Sequence, residues 1–199
     1  MKLLAFTDLH GSKKSTDLII KKAKKENPDF LVCTGDISDW GKNVKKILSN
    51  FKDLNIPLLI ISGNHEDGVD LEEISKKFNF IICLDGGSYE LDDYVFFGYG
   101  GGAFSKKDKD FERISKKFER VLNKKKKLIL LAHAPPYGTK LDNLPLLGHS
   151  GNNSIRKFIE KNNPRLVICG HLHENFNIVD KLNKTILVNP GPNGKIIEV

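Results

Sequence analysis

Five short apolar runs, each followed within three residues by aspartate, asparagine or histidine, do most to limit how this chain can fold. Leu3-Leu4-Ala5-Phe6 leads to Asp8-x-His10, and Phe30-Leu31-Val32-Cys33 leads to Gly35-Asp36. Leu58-Leu59-Ile60-Ile61 precedes Gly63-Asn64-His65, and Leu128-Ile129-Leu130-Leu131 precedes His133. The last run, Leu166-Val167-Ile168-Cys169, precedes Gly170-His171-x-His173. Apolar stretches this short, with no polar alternation, suit strands buried on both faces. If all belong to one parallel-type sheet, the polar residues emerge together at the edge where open α/β sheets bind ligands.

The segments between the first runs have helical character. Ser15 to Glu26 sets Leu18, Ile19 and Ala23 among lysines and stops at Asn27-Pro28. Val44 to Leu54 repeats the pattern, and Asp70 opens a third helix to Phe78 as its N-cap. Strand and helix alternate over this region, which predicts a parallel sheet. The middle differs: Phe80 to Leu84, Ser88 to Leu91 and Tyr94 to Tyr99, separated by short turns, predict a meander. Phe111, Ile114, Phe118 and Val121-Leu122 mark a core-facing helix. Ala134 to Gly151 is a long connection with three prolines, a length typical of lids and binding loops. A helix from Asn152 to Asn163, a strand from Arg165 to Cys169 and a β-rich tail from Asn175 follow. The mix suggests an α/β architecture of two packed sheets with helices outside, in a single domain over residues 1–199.

Composition narrows the function classes. The net charge is +7, and among 32 basic residues only Arg113, Arg120, Arg156 and Arg165 are arginine. The lysines fall mostly on helical polar positions, and no aromatics interleave with the run Lys124 to Lys127. That is the pattern of a solvated surface, so a nucleic-acid partner is not favoured. Cys33, Cys83 and Cys169 lie singly in apolar runs, as reduced core thiols do. The N-terminus enters a strand directly and no run is long enough to span a bilayer. A cytoplasmic location and no membrane partner are the expectation.

The run-end residues form a coherent chelating set. Asp8, His10, Asp36, Asn64, His133, His171 and His173 offer oxygen and imidazole donors with no thiolate, which suits manganese, iron, zinc, cobalt or nickel. One ion takes roughly three or four such ligands. Seven suit two ions that share a carboxylate, which can make hydroxide available near neutral pH.

The ordered motifs resemble those of the calcineurin-like metallophosphoesterase superfamily, from Asp8 to Asn189-Pro190-Gly191. The resemblance implies an αββα sandwich of four layers. It implies that Asp8, His10, Asp36 and His173 hold one metal, that Asp36, Asn64, His133 and His171 hold the second, and that Asp36 bridges. Manganese leads the candidate metals. His65 would be the acid that protonates the leaving oxygen, with Asp39 orienting it. Glu66 and Glu174 would support the ligands, and His149 falls outside the pattern.

Departures narrow the substrate. Phosphoprotein phosphatases of the superfamily usually carry Gly-Asp-x-Val-Asp-Arg-Gly; here Gly35 to Gly41 reads Gly-Asp-Ile-Ser-Asp-Trp-Gly. Trp40 thus replaces an arginine fork suited to phosphate. Asn64, His65 and Trp40 become the expected substrate contacts. Gly63-Asn64-His65-Glu66, His133-Ala134-Pro135-Pro136 and Gly170-His171-x-His173-Glu174 are most similar to compact members acting on small phosphoesters. The expected activity is hydrolysis of a small phosphodiester or nucleotide by a metal-bridging hydroxide. A nuclease or phosphomonoesterase on the same site is the alternative, and a non-catalytic scaffold stands further off because ligands and His65 are all present.

Overall fold

A computed structural model describes residues 1–199. The first sheet takes β1 (Lys2–Phe6), β2 (Phe30–Thr34), β3 (Leu58–Ile61) and β4 (Ile81–Cys83) as parallel neighbours. The C-terminal strand Lys195–Glu198 closes it antiparallel to β1. Intervening strands are β5 (Ser88–Leu91), β6 (Tyr94–Tyr99), β7 (Lys127–Ala132), β8 (Asn143–Leu144), β9 (Gly148–His149), β10 (Leu166–Ile168), β11 (Val179–Leu182) and β12 (Thr185–Val188), so the closing strand is β13. The second sheet has the order β11-β12-β10-β7-β6-β5, parallel inside and antiparallel at both edges. Helices α1 (Lys13–Glu26), α2 (Val44–Ser49) and α3 (Leu71–Ser75) accompany the first sheet, and α4 (Lys109–Val121) and α5 (Asn153–Asn162) the second.

Side-chain alternation explains why the strands read as unbroken apolar runs. Leu3, Ala5, Val32, Leu59 and Ile61 face Ile129, Leu131, Leu166 and Ile168 between the two sheets. Their sequence neighbours Leu4, Phe6, Leu31, Cys33, Leu58 and Ile60 pack outward under Ile19, Ala23, Ile47, Leu48 and Leu71. Leu128, Leu130 and Val167 do the same under Phe111, Phe118, Ile155 and Phe158. Three apolar interfaces separate four layers, the αββα sandwich. Each fully buried aliphatic side chain contributes about 1.5–3 kcal/mol of transfer free energy.

Several local expectations are corrected. The apolar runs divide between two sheets instead of forming one. The middle strands are not a meander: β4 joins β3 in the first sheet, while β5 and β6 form a hairpin at the edge of the second. The chain changes sheets between Leu84 and Gly87, where Gly98 of β6 passes Leu84 so closely that a Cβ would collide with it. The helix from Val44 stops at Ser49, because the Asn50 side-chain amide donates to the carbonyls of Lys46 and Ile47 and ends the ladder. Asp70 caps α3 as expected, accepting from Glu73 N at 2.8 Å. At the end of α4 only Val121 leaves the apolar stripe, being 73 % exposed, while Leu122 packs partly buried against the core that holds Phe111 and Phe118. The segment from Phe176 onward supplies β11 and β12 to one sheet and β13 to the other. No helix is long and apolar enough to cross a membrane.

Candidate metal centre

The polar residues lie where strands of both sheets end. Asp8 and His10 follow β1, Asp36 follows β2, and a single turn, Asn64–Glu66, follows β3. His133 follows β7, and His171 and His173 follow β10. The backbone is strained at four of these residues: φ is 54° at Asp8, 45° at His10, 49° at Asp36 and 71° at His171. Left-handed geometry in residues other than glycine costs on the order of 1–3 kcal/mol each and clusters at functional sites. Two glycines admit the close packing this requires. A Cβ on Gly63 would collide with the Asp36 carboxylate, and one on Gly170 with Thr7 and the Asp8 carboxylate.

The site residues expected from the sequence meet. His10 Nε2 and His173 Nε2 are 3.1 Å apart. His173 Nε2 is 3.4 Å from Asp8 Oδ1, and His10 Nε2 is 3.9 Å from the same oxygen and 3.8 Å from Asp36 Oδ2. His133 Nε2 lies 3.5 Å from Asp36 Oδ2. Asn64 Oδ1 lies 3.0 Å from His133 Nε2 and 2.9 Å from His171 Nδ1. Three ligand groups result, Asp8/His10/His173, His10/Asp36/His65 and Asp8/Asp36/His133, each with donor atoms within 4.8 Å of one another. They overlap in Asp8, His10 and Asp36.

Neighbours hold these side chains in place. Asp8 accepts from Thr7 Oγ1 at 2.7 Å and from His171 N at 3.1 Å. Asp36 Oδ1 accepts from His65 N at 2.8 Å, and His133 Nδ1 is aimed at the Thr34 carbonyl, 2.8 Å away. Glu66 is buried and accepts from Ser38 N and Gly63 N, each at 3.0 Å, and from Ser38 Oγ at 2.6 Å. It thereby ties the Asp36 turn to the Asn64 turn. Glu174 is exposed and acts on His173 only as a nearby charge.

Burial and the two carboxylates set the electrostatics of the cluster. Burial alone would lower the basicity of His133, but the hydrogen bond and charge of Asp36, the charge of Asp8 and the Thr34 carbonyl raise its pKa to about 9. Burial likewise opposes ionisation of Asp36, yet His133 and the His65 amide hold its pKa below the usual value. Burial and the charge of His133 push His171 down to about 4, and burial lowers His10 despite Asp36 and Asp8. The hydrogen bond to Asp8 raises His173. Asp36 and Asp8 thus impose a strong negative potential on the imidazoles around them. His171 Nε2 is buried without a partner. Oxygen and imidazole donors converging on buried negative charge fit a divalent metal of borderline softness.

His65, a member of the second group, also has contacts of its own. Asp39 Oδ1 is 3.6 Å and the Trp40 amide 3.4 Å from His65 Nδ1, and the indole stacks on the imidazole at 4.2 Å between centroids. Trp40 is 67 % exposed with φ 51°, so a strained turn presents its ring to solvent. Aromatic residues that sequence reasoning missed cover other parts of the cluster. Phe104 is 72 % exposed and meets His171 edge-on at 4.4 Å, and Phe176 stacks on His173 at 4.9 Å. Neither sits in a local motif, so no sequence signal marked them. His149 is tied to the fully buried Asp142 at 2.8 Å, and that carboxylate also accepts from Gly138, Thr139 and Gly151 amides. The 134–151 connection is therefore organised around Asp142, and Asn175 fastens it beside His173 through the Leu141 carbonyl at 3.0 Å.

Carboxylate and imidazole donors converging at one rim of a double-sheet sandwich define a metal-binding α/β protein. Residues 1–175 match the calcineurin-like phosphoesterase family. A protein of Methanocaldococcus jannaschii of uncharacterised function, MJ1162, is 34% identical over 96% of this chain and 88% of its own length. A probable glycerophosphodiester phosphodiesterase, GpdQ, of Arcobacter nitrofigilis is 27% identical over 83% of this chain and 64% of its own length. The crystal structure of TT1561 of Thermus thermophilus shares the fold, with a TM-score of 0.78 at 15% identity, covering 96% of this chain and 88% of that one. The chain belongs to the calcineurin-like phosphoesterase family, whose members are metal-dependent hydrolases of phosphoric esters.

Proposed function

We propose that residues 1–199 act as a single cytoplasmic catalytic domain, a phosphodiesterase using two divalent metals on a small phosphodiester or nucleotide. The observation that carries this is the overlap of the three groups at Asp8, His10 and Asp36, one of which includes His65. Asp8, His10, Asp36 and His173 would hold one ion; Asp36, Asn64, His133 and His171 would hold the other, with Asp36 shared. Manganese is the first candidate, and iron, zinc, nickel and cobalt suit the same donors. Bound metal supplies a Lewis acid for phosphate oxygens and an acidified water.

The chain's own groups do the rest. His65 donates a proton from Nε2 to the leaving oxygen, while its Nδ1 accepts from the Trp40 amide at 3.4 Å and Asp39, 3.6 Å from the same nitrogen, orients the ring. Trp40 and Asn64 line the approach, where no arginine fork grips a phosphomonoester dianion. The kinship to a probable glycerophosphodiester phosphodiesterase supports the diester reading. The test is metal content by elemental analysis together with manganese-dependent turnover of bis(p-nitrophenyl) phosphate, p-nitrophenyl phosphate, cyclic nucleotides and single-stranded DNA. The reading expects two ions per chain and a preference for the small diesters. Absence of turnover with every substrate in the metal-loaded protein would reject it.

A further inference from the structure

A cavity of about 460 Å³ opens directly beside the metal centre, between α1 and the segment from Asp39 to Asn50. His10 and Asp39 form its inner wall, so one space serves the reacting centre and the groove. Its size falls in the range of ordinary small-ligand sites. Its lining is unusual for such a site, because Ile47 is the only hydrophobic residue in it. Three lysines, Lys13, Lys42 and Lys46, look into it against two carboxylates, Asp17 and Asp39.

The charges are not fully paired. Lys13 is held by Asp17 at 2.5 Å, both largely exposed, and such solvated pairs hold weakly. Lys42 stands 3.9 Å from Asp39, beyond hydrogen-bonding distance, while Asp39 is also drawn to His65 at 3.6 Å. Lys46 pairs with no carboxylate. Asn43 precedes α2 at φ 58° without using its side chain as a cap, which leaves that amide available to a ligand. An alkyl or aromatic group gains nothing here. An anionic group gains two or three ammonium donors and an amide, in a concave site where the field of like charges is focused.

We propose that this groove is a subsite for a second phosphate on the substrate, so that the enzyme acts on phosphodiesters whose retained portion carries a further phosphate, as a nucleoside bisphosphate does. The inference rests on the phosphodiesterase reading. Lys13, Lys42 and Lys46 hold the distal phosphate, and Trp40, next to Asp39 at the groove's inner end, lies along the connecting moiety.

The experiment compares two chromogenic substrates that differ only in the second phosphate: the p-nitrophenyl ester of thymidine 5′-phosphate, with and without a 3′-phosphate. The wild-type enzyme should prefer the 3′-phosphorylated ester at least about fivefold in kcat/KM, chiefly through KM, the effect of one or two charge-assisted contacts. Lys13→Gln/Lys46→Gln should bring the ratio within about twofold of unity. Lys124→Gln/Lys127→Gln removes the same charge from the second sheet's side of the molecule and should keep the wild-type ratio. Calorimetry on the metal-free protein should give the same ranking for thymidine 3′,5′-bisphosphate over thymidine 5′-phosphate. A wild-type ratio near one, or equal loss of preference in both double variants, overturns the subsite. Failure to hydrolyse either ester or bis(p-nitrophenyl) phosphate would instead reject the phosphodiesterase reading, while calorimetry still decides the groove.

Discussion

The two sheets contribute unequally to the metal centre. The first sheet supplies both buried carboxylates, Asp8 and Asp36, along with His10, Asn64, His65 and the groove beside them. The second supplies only imidazoles, His133, His171 and His173, none with a carboxylate partner from its own sheet. Negative charge therefore resides on one half and imidazole donors on the other, and they meet across the seam. His133, fully buried at the end of β7, owes its raised basicity to Asp36 and Asp8 of the other sheet. Neither half is a site alone, and the packing of Leu3, Val32 and Leu59 against Ile129, Leu131 and Leu166 brings them together.

The sharpest way to break this asymmetry is to neutralise Asp36, the carboxylate proposed to be shared. Asp36→Asn should remove both metals and lower kcat by on the order of 10⁴, since metal polarisation of a phosphoryl group is worth several kcal/mol and each 1.36 kcal/mol is tenfold. Elemental analysis and turnover of bis(p-nitrophenyl) phosphate check it; a variant that keeps two ions per chain would remove Asp36 from the bridging role. His65→Ala, also on the first half, should keep its metal and lose about 10²–10⁴ in rate, the range for general acid catalysis. The loss should grow with leaving-group pKa across a series of aryl esters. An equal loss for good and poor leaving groups would make His65 a positioning residue.

The second half should respond more mildly. His171→Ala removes a neutral donor whose partner is Asn64 and leaves both carboxylates in place. One ion should remain tightly bound while the other weakens by about 10²-fold, at or above the effect of losing a residue that orients a ligand. Metal titration by calorimetry should then show one tight and one weak event. Loss of both events would show that the halves are not separable as the charge distribution implies.

The same asymmetry bears on what could be read from residues alone. Strands β1, β2, β3, β7 and β10 were legible because both their faces are buried, and the clustering of the candidate ligands was legible because each follows such a run directly. The division of those runs between two sheets was not, since Leu4 and Leu130 face helices in the same alternation whichever sheet they occupy. The move from β4 to β5 depends on the close passage of Gly98 and Leu84, a contact between distant parts of the chain. Supports that act locally, such as the Glu66 side chain on the Gly63 amide three residues away, leave a trace in sequence. Phe104 on His171 and the Thr34 carbonyl facing His133 leave none, because they are tertiary contacts.

Trp40 is the smallest test and separates two roles that the stacking geometry joins. Its ring lies 4.2 Å from His65, so it can fix the imidazole, and it is 67 % exposed, so it can also meet substrate. A stacking contact is worth about 0.5–1.5 kcal/mol, or roughly two- to tenfold. If the indole meets substrate, Trp40→Ala should raise KM by that factor for nucleoside and aryl diesters, and Trp40→Phe should recover most of it. If it only steadies His65, kcat should fall instead, and most for poor leaving groups, reproducing His65→Ala in miniature. Unchanged kcat and KM for both substrate types would remove Trp40 from the site. The strained φ of 51° at that position would then need another account.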